Sequence, residues 1–412
     1  MVSKLFSCPT MLRRLYAGPL GEHIDAFAEW LSGQGYSREV LRYKIRMVAY
    51  LSHWLHRRGL RAADLNEQRV TRFLCQRCRK SDLWHGNFTT FRDLLWWLRG
   101  AGVVAPAVVQ SDDTARGRLE RDFVLYLTRE RGLAAATVKN YLPTAHRFLC
   151  ERFPASSVVP RDLRSKDVTD FILRQSETIS RRRMQLVVTA LRSFLRFLRL
   201  RGEIASDLAA AVPTVPNHRW LELPKAIPPA QVKQLLESCD RNRPAGRRDY
   251  AALLLMARLG LRAGEILSLT LDDVDWEGGT IAIQGKGKRL DQLPLPHDVG
   301  EALAEYLRHG RPLCSTRRLF VRAKAPFREL ARNGSVCIVV RYACRRAGLS
   351  PPHQGAHLLR HSLAIDLLRQ GASLREIGEI LRHRLSNTTE VYAKVDLKAL
   401  RTVVQPWMGG QT

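Results

Sequence analysis

An internal duplication in the first half of the chain constrains the fold more strongly than any other feature of the sequence. The pattern FAEWLSGQGYSREVLRYKI from Phe27 recurs as FVLYLTRERGLAAATVKNYL from Phe123. Further along, DLNEQRVTRF from Asp64 recurs as DLRSKDVTDF from Asp162, with leucine, valine, threonine and phenylalanine at the same internal spacings. Repeats of this length are copies of one structural unit. The first half therefore predicts two tandem domains with the same fold.

Each copy is predicted to form four helices. Apolar residues recur three, four or seven positions apart, as at Ile45, Val48 and Leu55, and Asp or Ser residues stand where helix caps belong. We place the first domain at residues 1–107 and the second at residues 108–212.

A proline-rich stretch separates the two copies from the rest of the chain. Each proline inside a helix removes a backbone hydrogen bond, so the run of prolines predicts an extended linker at residues 213–224. The remaining segment, 225–412, mixes helical patterns with one hairpin, in which TIAIQ and RLDQLPLP flank the turn GKGK. Lys286 lies in this turn between two glycines.

The charge of the chain predicts a polyanionic partner. It has 67 Lys and Arg against 39 Asp and Glu, which gives a formal charge of +28 on 412 residues. A basic surface of this kind suits DNA, RNA or an anionic membrane. No run approaches the roughly twenty apolar residues of a spanning helix, and the amino terminus does not have the pattern of a secretory signal. We expect a cytoplasmic protein that does not bind membranes.

Eight cysteines in a chain of this length fit a reducing compartment better than a disulfide scaffold. Cys75 and Cys78 form a CxxC motif, with His85 downstream. A structural zinc site needs a second ligand pair nearby, and the sequence offers none. We therefore predict the end of a helix here and no metal site.

The last third of the chain contains an ordered set of residues suited to moving a phosphoryl group. Two arginines can hold the non-bridging oxygens of one phosphate, histidine and lysine can move protons, and a tyrosine hydroxyl can act as the nucleophile. The six candidate residues are Arg262, Lys286, His357, Arg360, His383 and Tyr392.

Each of these residues also has a structural interpretation. A lysine in a turn, such as Lys286, is usually solvated, and His357 with Arg360 is also what a surface ion-binding pair would look like. The spacing of three places His357 and Arg360 on one face of a helix, so both can touch one phosphate. His361 is expected to point away from His357 and to take no part. Glu265, three residues after Arg262, is predicted to orient that arginine.

Residues 179–201 predict an amphipathic basic helix, ISRRRMQLVVTALRSFLRFLRLR. One interpretation is a well-solvated helix of a bundle. We favour contact with nucleic-acid phosphates, because the large net charge must be concentrated somewhere and arginines on helices suit backbone contacts. The predicted contacts here are Arg181, Arg182 and Arg183.

From about residue 225 to 405 the chain resembles the catalytic domain of the tyrosine recombinases, the phage-integrase-like site-specific recombinases. The matching motifs are ARLGLRAGEILSL and HLLRHSLAIDLLRQG, followed by LRHRLSNTTEVYAKV. The second helical copy, about 115 to 205, resembles the helical core-binding domain of that family. The resemblance implies a mainly α multidomain fold: two tandem SAM-like four-helix DNA-binding domains precede a mixed α/β catalytic domain with a small antiparallel sheet. The first copy is an addition to the minimal two-domain plan, and it is predicted to bind DNA or protein.

The resemblance also implies a mechanism. Tyr392 attacks a DNA phosphate and forms a 3′-phosphotyrosyl link, Lys286 protonates the leaving 5′-hydroxyl, and His357 assists proton transfer at the tyrosine. Lys286 and His357 surround the phosphate together with Arg262, Arg360 and His383. No cofactor is required. Lys288 and Arg382 are further predicted phosphate contacts, and Arg382 stands where the family usually has glycine.

The resemblance further implies strand exchange in a homo-tetramer on double-stranded DNA through a Holliday junction, as in an integrase or transposase of a mobile element. The carboxyl-terminal stretch DLKALRTVVQPW then docks on a neighbouring protomer or packs within its own. Two alternatives stay open at this point: a type IB topoisomerase-like enzyme that nicks and reseals DNA, and a catalytically silent DNA-binding partner in an element with several recombinases.

Overall fold

The computed structural model describes residues 1–77, 81–106, 113–154, 157–216, 223–285, 289–330, 333–383 and 388–395. Contacts group the chain into two compact units. One unit comprises Met1–Pro106 together with Leu223–Thr412, and the other comprises Ala107–Glu222. The domain boundaries drawn above therefore stay a prediction, because the first predicted domain makes contacts with the carboxyl-terminal segment.

The described amino-terminal residues, 1–77 and 81–106, contain six α-helices. They are α1 (Val2–Leu5), α2 (Pro9–Tyr16), α3 (Ile24–Gly33), α4 (Arg38–His56), α5 (Glu67–Arg77) and α6 (Ser81–Gly100). The start of α4 is fixed by Ser37, whose side chain accepts a hydrogen bond from the Val40 amide at 3.4 Å. Its predicted apolar stripe is buried: Ile45, Val48 and Leu55 have at most 1% of their surface exposed.

The second unit contains four long helices and its own apolar core. They are α7 (Ala115–Leu125), α8 (Ala135–Arg152), α9 (Ser165–Thr178) and α10 (Arg181–Leu200). Both copies place a short 3-10 turn before the third of their long helices, at Ala62–Asp64 and at Pro160–Asp162. The order of elements thus follows the repeat read from the sequence, with α1 and α2 added in front of the first copy.

The carboxyl-terminal segment mixes helices with a small sheet. Its helices are α11 (Pro229–Glu237), α12 (Pro244–Leu259), α13 (Ala263–Ser268), α14 (His297–His309), α15 (Asn333–Arg346), α16 (His357–Arg369) and α17 (Leu374–Ile380). The strands are β1 (Val274–Asp275), β2 (Thr280–Gln284) and β3 (Leu290–Pro294). They form one antiparallel sheet in the order β1-β2-β3.

The predicted hairpin is present as β2 and β3. Ile281 and Ile283 are fully buried, and Ile281 pairs with Leu293 across the ladder. Period-two alternation over five residues is a local signal, which is why the sequence alone predicts this element.

Two hydrophobic clusters hold this segment together. The larger is built around α12, which is buried on most sides from Ala251 to Met256 because α11, α14, α15 and α16 pack against it. The smaller joins α16 to α17 and includes Tyr392, whose side chain is only 1% exposed. In the parts of the chain that the structure describes, no helix is long and apolar enough to cross a membrane.

Candidate active site

Arg360, on the first turn of α16, lies at the centre of the candidate site. Its side chain is 3% exposed, and its guanidinium donates hydrogen bonds to the carbonyls of Gly260 and Leu381. Gly260 ends α12 in the left-handed conformation (φ 61°), a common way to end a helix, and its carbonyl accepts one of these bonds. Arg360 therefore ties the end of α12 to the end of α17.

Burial and neighbouring cations disfavour the charge on this arginine. The pKa of Arg360 is lowered to about 9, first by burial and then by the charges of Arg262 and Arg382. A guanidinium with that pKa still carries its charge at neutral pH. Arg360 is thus a buried cation whose charge is only partly balanced by nearby anions.

Glu265 supplies the negative charge that the arginines share. It is 3% exposed and closes the first turn of α13, where it accepts a hydrogen bond from the Arg262 amide at 2.9 Å. The Arg262 guanidinium donates to the same carboxylate at 2.6 Å, and the Arg382 guanidinium donates to it at 2.9 Å. Burial raises the pKa of Glu265, but these donors and charges outweigh it and leave the pKa below its ordinary value.

The guanidiniums of Arg262 and Arg360 both reach the carbonyl of Leu381. The Arg262 guanidinium also approaches the carbonyls of Leu381 at 3.5 Å and Arg382 at 3.2 Å, and the Leu381 carbonyl is the one that Arg360 contacts. Arg262 stays 31% exposed, whereas Arg360 is buried. The pair therefore presents one accessible and one fixed guanidinium, the arrangement expected of a phosphate-holding pair.

Arg382 takes a structural position that the sequence did not predict. It has φ 55°, in the left-handed region that favours glycine, which agrees with the glycine expected at this position. Its side chain is only 7% exposed and is paired with Glu265. A phosphate contact by Arg382 therefore requires it to leave Glu265, and that contact stays a prediction.

The hydroxyl of Tyr392 lies against His361. Nδ1 of His361 is 2.8 Å from the Tyr392 oxygen, and the two ring centroids are 5.7 Å apart in an edge-to-face arrangement. Tyr392 belongs to the 3-10 turn Glu390–Val395, which packs on α16. The expectation that His361 points away from the site is therefore wrong. Four residues turn an α-helix by about 400 degrees, so His361 lies only about 40 degrees around α16 from His357, and the two rings are 6.1 Å apart.

His383 also lies beside the tyrosine ring. The two rings are nearly parallel, with centroids 6.5 Å apart, and Nδ1 of His383 is 2.7 Å from the Thr389 hydroxyl. Burial, followed by the charges of Arg360 and Arg262, lowers the pKa of His383 to about 4. The imidazole is therefore neutral at pH 7 and suited to hydrogen bonding rather than to carrying charge.

The remaining predicted residues are less tightly placed. His357 is exposed at the start of α16, with its ring 6.1 Å from that of His361. Arg181, Arg182 and Arg183 are all exposed in the first turn of α10.

Several predicted residues lie outside the described part of the chain. They are Lys286 and Lys288 in the hairpin turn, Cys78, and the carboxyl-terminal stretch from residue 396. The side chain of His85 is likewise outside it. Among the described residues, no group of three or more histidine, cysteine or carboxylate side chains is arranged to hold a metal ion.

Comparisons with known proteins agree with this geometry. Residues 225–398 match the model of the phage integrase family. The chain is 43% identical over 399 residues to a protein of Sinorhizobium fredii named integrase/recombinase y4rA, with 97% of each chain covered. It is 32% identical over 290 residues to the tyrosine recombinase XerD of Listeria monocytogenes, which covers 69% of this chain and 96% of XerD.

Two solved structures share the fold. The post-cleavage complex of the site-specific recombinase XerH with a palindromic difH substrate has a TM-score of 0.53 at 20% identity, covering 75% of this chain and 94% of XerH. A lambda integrase dimer bound to a core site has a TM-score of 0.52 at 15% identity, covering 71% of this chain and 99% of the integrase chain.

Proposed function

Because the chain belongs to the phage integrase family of tyrosine recombinases, enzymes that break and rejoin DNA through a tyrosine, we propose that it is a site-specific recombinase of a mobile element. The observation that carries this proposal is the buried Tyr392 hydroxyl, held by His361 beside the cluster of Arg262, Arg360 and Glu265. A nucleophile and a preformed cationic site for its target are both present in one segment of the chain.

The chemistry is transesterification at one phosphate. The Tyr392 oxygen loses its proton and attacks phosphorus, the bond from phosphorus to the 5′-oxygen breaks, and that oxygen takes up a proton to leave as a 5′-hydroxyl. The product is a 3′-phosphotyrosyl link. Attack by the 5′-hydroxyl of a second strand reverses these steps and restores Tyr392. Bond energy is conserved in the phosphotyrosine, so the reaction balances without a nucleotide.

Each side chain contributes one interaction to this reaction. Arg262 and Arg360 face the non-bridging oxygens, whose charge grows in the transition state. Glu265 keeps Arg262 in place, and main-chain carbonyls hold Arg360. We assign the first proton transfer to His361, because its Nδ1 is 2.8 Å from the hydroxyl that must lose the proton. His383, neutral at pH 7, serves as a hydrogen-bond donor to the phosphate. Lys286 protonates the leaving oxygen. His357 lies at the outer side of the site.

Double-stranded DNA is the proposed partner. The net charge of +28 and the exposed arginines that begin α10 favour a polyanion. The structures that share the fold include XerH on its difH substrate and a lambda integrase dimer on a core site. We extend these relationships to a homo-tetramer that exchanges strands through a Holliday junction, with residues 108–212 as a SAM-like core-binding domain and 1–107 as its copy.

A suicide-substrate assay tests the proposal. The wild-type chain is incubated with nicked duplexes taken from the ends of the element that encodes it, and we expect a covalent protein–DNA adduct that Tyr392→Phe abolishes. Recombinant joints between two duplexes support strand exchange. Relaxation of a supercoiled plasmid without such joints instead favours a topoisomerase-like activity. An adduct that forms only after a second recombinase is added, and that persists in Tyr392→Phe, favours the silent-partner alternative; no adduct under any condition overturns the proposal.

A further inference from the structure

A loop of the catalytic segment reaches the amino-terminal helices. Residues 322–328 form the tip of a narrow turn, closed by pairing of Val321 with Glu329 and by a hydrogen bond from the Arg322 amide to the Arg328 carbonyl at 2.9 Å. We call these seven residues the 322–328 loop. The sequence repeat does not include this loop, so the duplication gives no reason to expect a contact here.

The loop binds the turn that joins α3 to α4. The Phe327 amide donates a hydrogen bond to the Gln34 carbonyl at 3.0 Å. Its ring lies directly over Gly35, where a Cβ atom would be 2.0 Å from Cε2 and 2.1 Å from Cδ2 of Phe327. Gly35 also has φ 81°, so the position has two independent requirements for glycine. We call this site, formed by Gln34 and Gly35, the Gly35 notch.

Polar groups flank the notch on the amino-terminal side. Tyr36 hydrogen-bonds Asp93 at 3.5 Å, and the Lys44 ammonium, which is almost fully buried, lies 3.8 Å from the same carboxylate. Burial raises the pKa of Tyr36 and Asp93 adds to the effect, while the charges of Arg322 and Arg328 oppose it. The two arginines of the loop therefore lie close enough to Tyr36 to act on it electrostatically.

The second copy of the repeat provides an internal comparison. Gly132 stands at the equivalent turn, between α7 and α8, and also has a left-handed backbone with φ 58°. A Cβ atom built on Gly132 meets nothing within 4 Å. A left-handed glycine thus occurs at this turn in both copies. Among the described residues, an aromatic ring packs against the glycine in the first copy and not in the second.

We propose that the amino-terminal segment, residues 1–106, is a docking module for the catalytic segment of its own chain, and that the Gly35 notch binds Phe327 of the 322–328 loop. The partner of the extra copy is then a protein surface rather than a second stretch of DNA. The backbone hydrogen bond sets the position of the loop, the ring fills the space that a side chain would take, and the arginines lie beside Tyr36. This interaction goes beyond the proposed recombination and does not depend on it.

The contact also connects to the candidate site. Directly before the loop, the Leu319 amide donates to the Leu269 carbonyl at 2.8 Å, and the Arg318 guanidinium donates to the Ser268 carbonyl. Ser268 ends α13, the helix that begins directly after Arg262. The residues that lead into the loop thus contact the end of the helix that follows Arg262.

Hydrogen exchange on the full-length protein, measured by mass spectrometry without DNA, tests the proposal. In Gly35→Ala the new methyl group collides with Phe327, so we expect exchange at the Phe327 amide to accelerate by about tenfold or more, as for loss of a local protecting contact. Gly59→Ala is the matched control, because Gly59 has φ 64° in the same segment and an open environment. Alanine at this position has the same unfavourable left-handed backbone without the collision. The 322–328 loop of Gly59→Ala should therefore exchange as in the wild type.

A second variant guards against simple misfolding of the amino-terminal helices. Phe327→Ala leaves those helices unchanged in sequence, and we expect it to accelerate exchange in the loop while α4 stays protected. Equal exchange in the wild type and Gly35→Ala overturns the proposal, as does equal acceleration in Gly59→Ala. If protection of the 322–328 loop is lost on dilution, a second copy of the chain supplies the loop. If the protection arises only with duplex DNA, the amino-terminal segment has a DNA-binding role. Either result also overturns the proposal.

Discussion

Two groups of arginines in this molecule show opposite ways of preparing for a phosphate. Arg262 and Arg382 pair with the buried Glu265, and Arg360 is hydrogen-bonded to main-chain carbonyls. The arginines that begin α10, at positions 181–183, are exposed at a helix start whose first turn holds no acidic residue and whose Ser180 makes no side-chain cap.

The buried arginines are suited to positioning one phosphate, whereas the exposed arginines are suited to attracting DNA. A buried guanidinium held by fixed partners is already oriented when the phosphate arrives, but its charge must be balanced within the protein. An exposed guanidinium needs no such balance and contributes mainly through release of counterions from DNA. Changes in the first group should therefore alter stability and rate, and changes in the second should alter the salt dependence of binding.

The largest effect is expected for Glu265→Gln. The substitution removes the charge that balances Arg262 and Arg382, and loss of one partner from a buried ionic network typically costs about 3–5 kcal/mol in the free energy of unfolding. Urea denaturation at neutral pH measures this loss. Asp272→Asn is the control: Asp272 also pairs with an arginine, Arg317, but both side chains are more than 60% exposed, so we expect a much smaller change. Similar losses in both variants would contradict the role given to Glu265.

An intermediate effect is expected for His361→Ala. If His361 takes the proton of the Tyr392 hydroxyl, its removal should slow adduct formation at saturating DNA by about a hundredfold, without changing the salt dependence of binding. The deficit should shrink as the pH rises, because hydroxide then replaces the lost base. A purely structural contact would give a loss that does not vary with pH.

His357→Ala is the matched variant on the same helix. Because the His357 ring is exposed, we expect a smaller loss of adduct formation than in His361→Ala. The reverse order would return the first proton transfer to His357, as the sequence resemblance implied.

The sequence predicted those parts of the molecule that depend on local periodicity. The apolar stripe of α4 and the alternation of Ile281 and Ile283 each specify an element within a few residues, and both are buried as expected. The spacing of His357 and Arg360 likewise predicted a shared helix start. These signals are carried by neighbouring residues and need no knowledge of what packs against them.

Contacts between distant elements were beyond such reasoning. The partnership of His361 with Tyr392 depends on where the 3-10 turn at Glu390–Val395 packs, and the inward position of Arg382 depends on a buried carboxylate from another helix. Two signals were available in the sequence. The arginine at a position where glycine is expected marked an unusual backbone, and Glu265 already had the spacing of a capping residue.

The smallest effect, and the one that tests the exposed group, is expected for the triple variant Arg181→Ala, Arg182→Ala, Arg183→Ala. Cations in the first turn oppose the helix dipole, so the free energy of unfolding should stay the same or rise slightly, in contrast to Glu265→Gln. Each phosphate contact that is lost should lower the slope of log affinity against log salt by about 0.9. Arg174→Ala serves as the control, because this exposed arginine is already paired with Glu151 and should leave the slope unchanged. Binding titrations over a range of salt concentrations measure both slopes, and an unchanged slope in the triple variant would show that α10 begins as a solvated bundle helix.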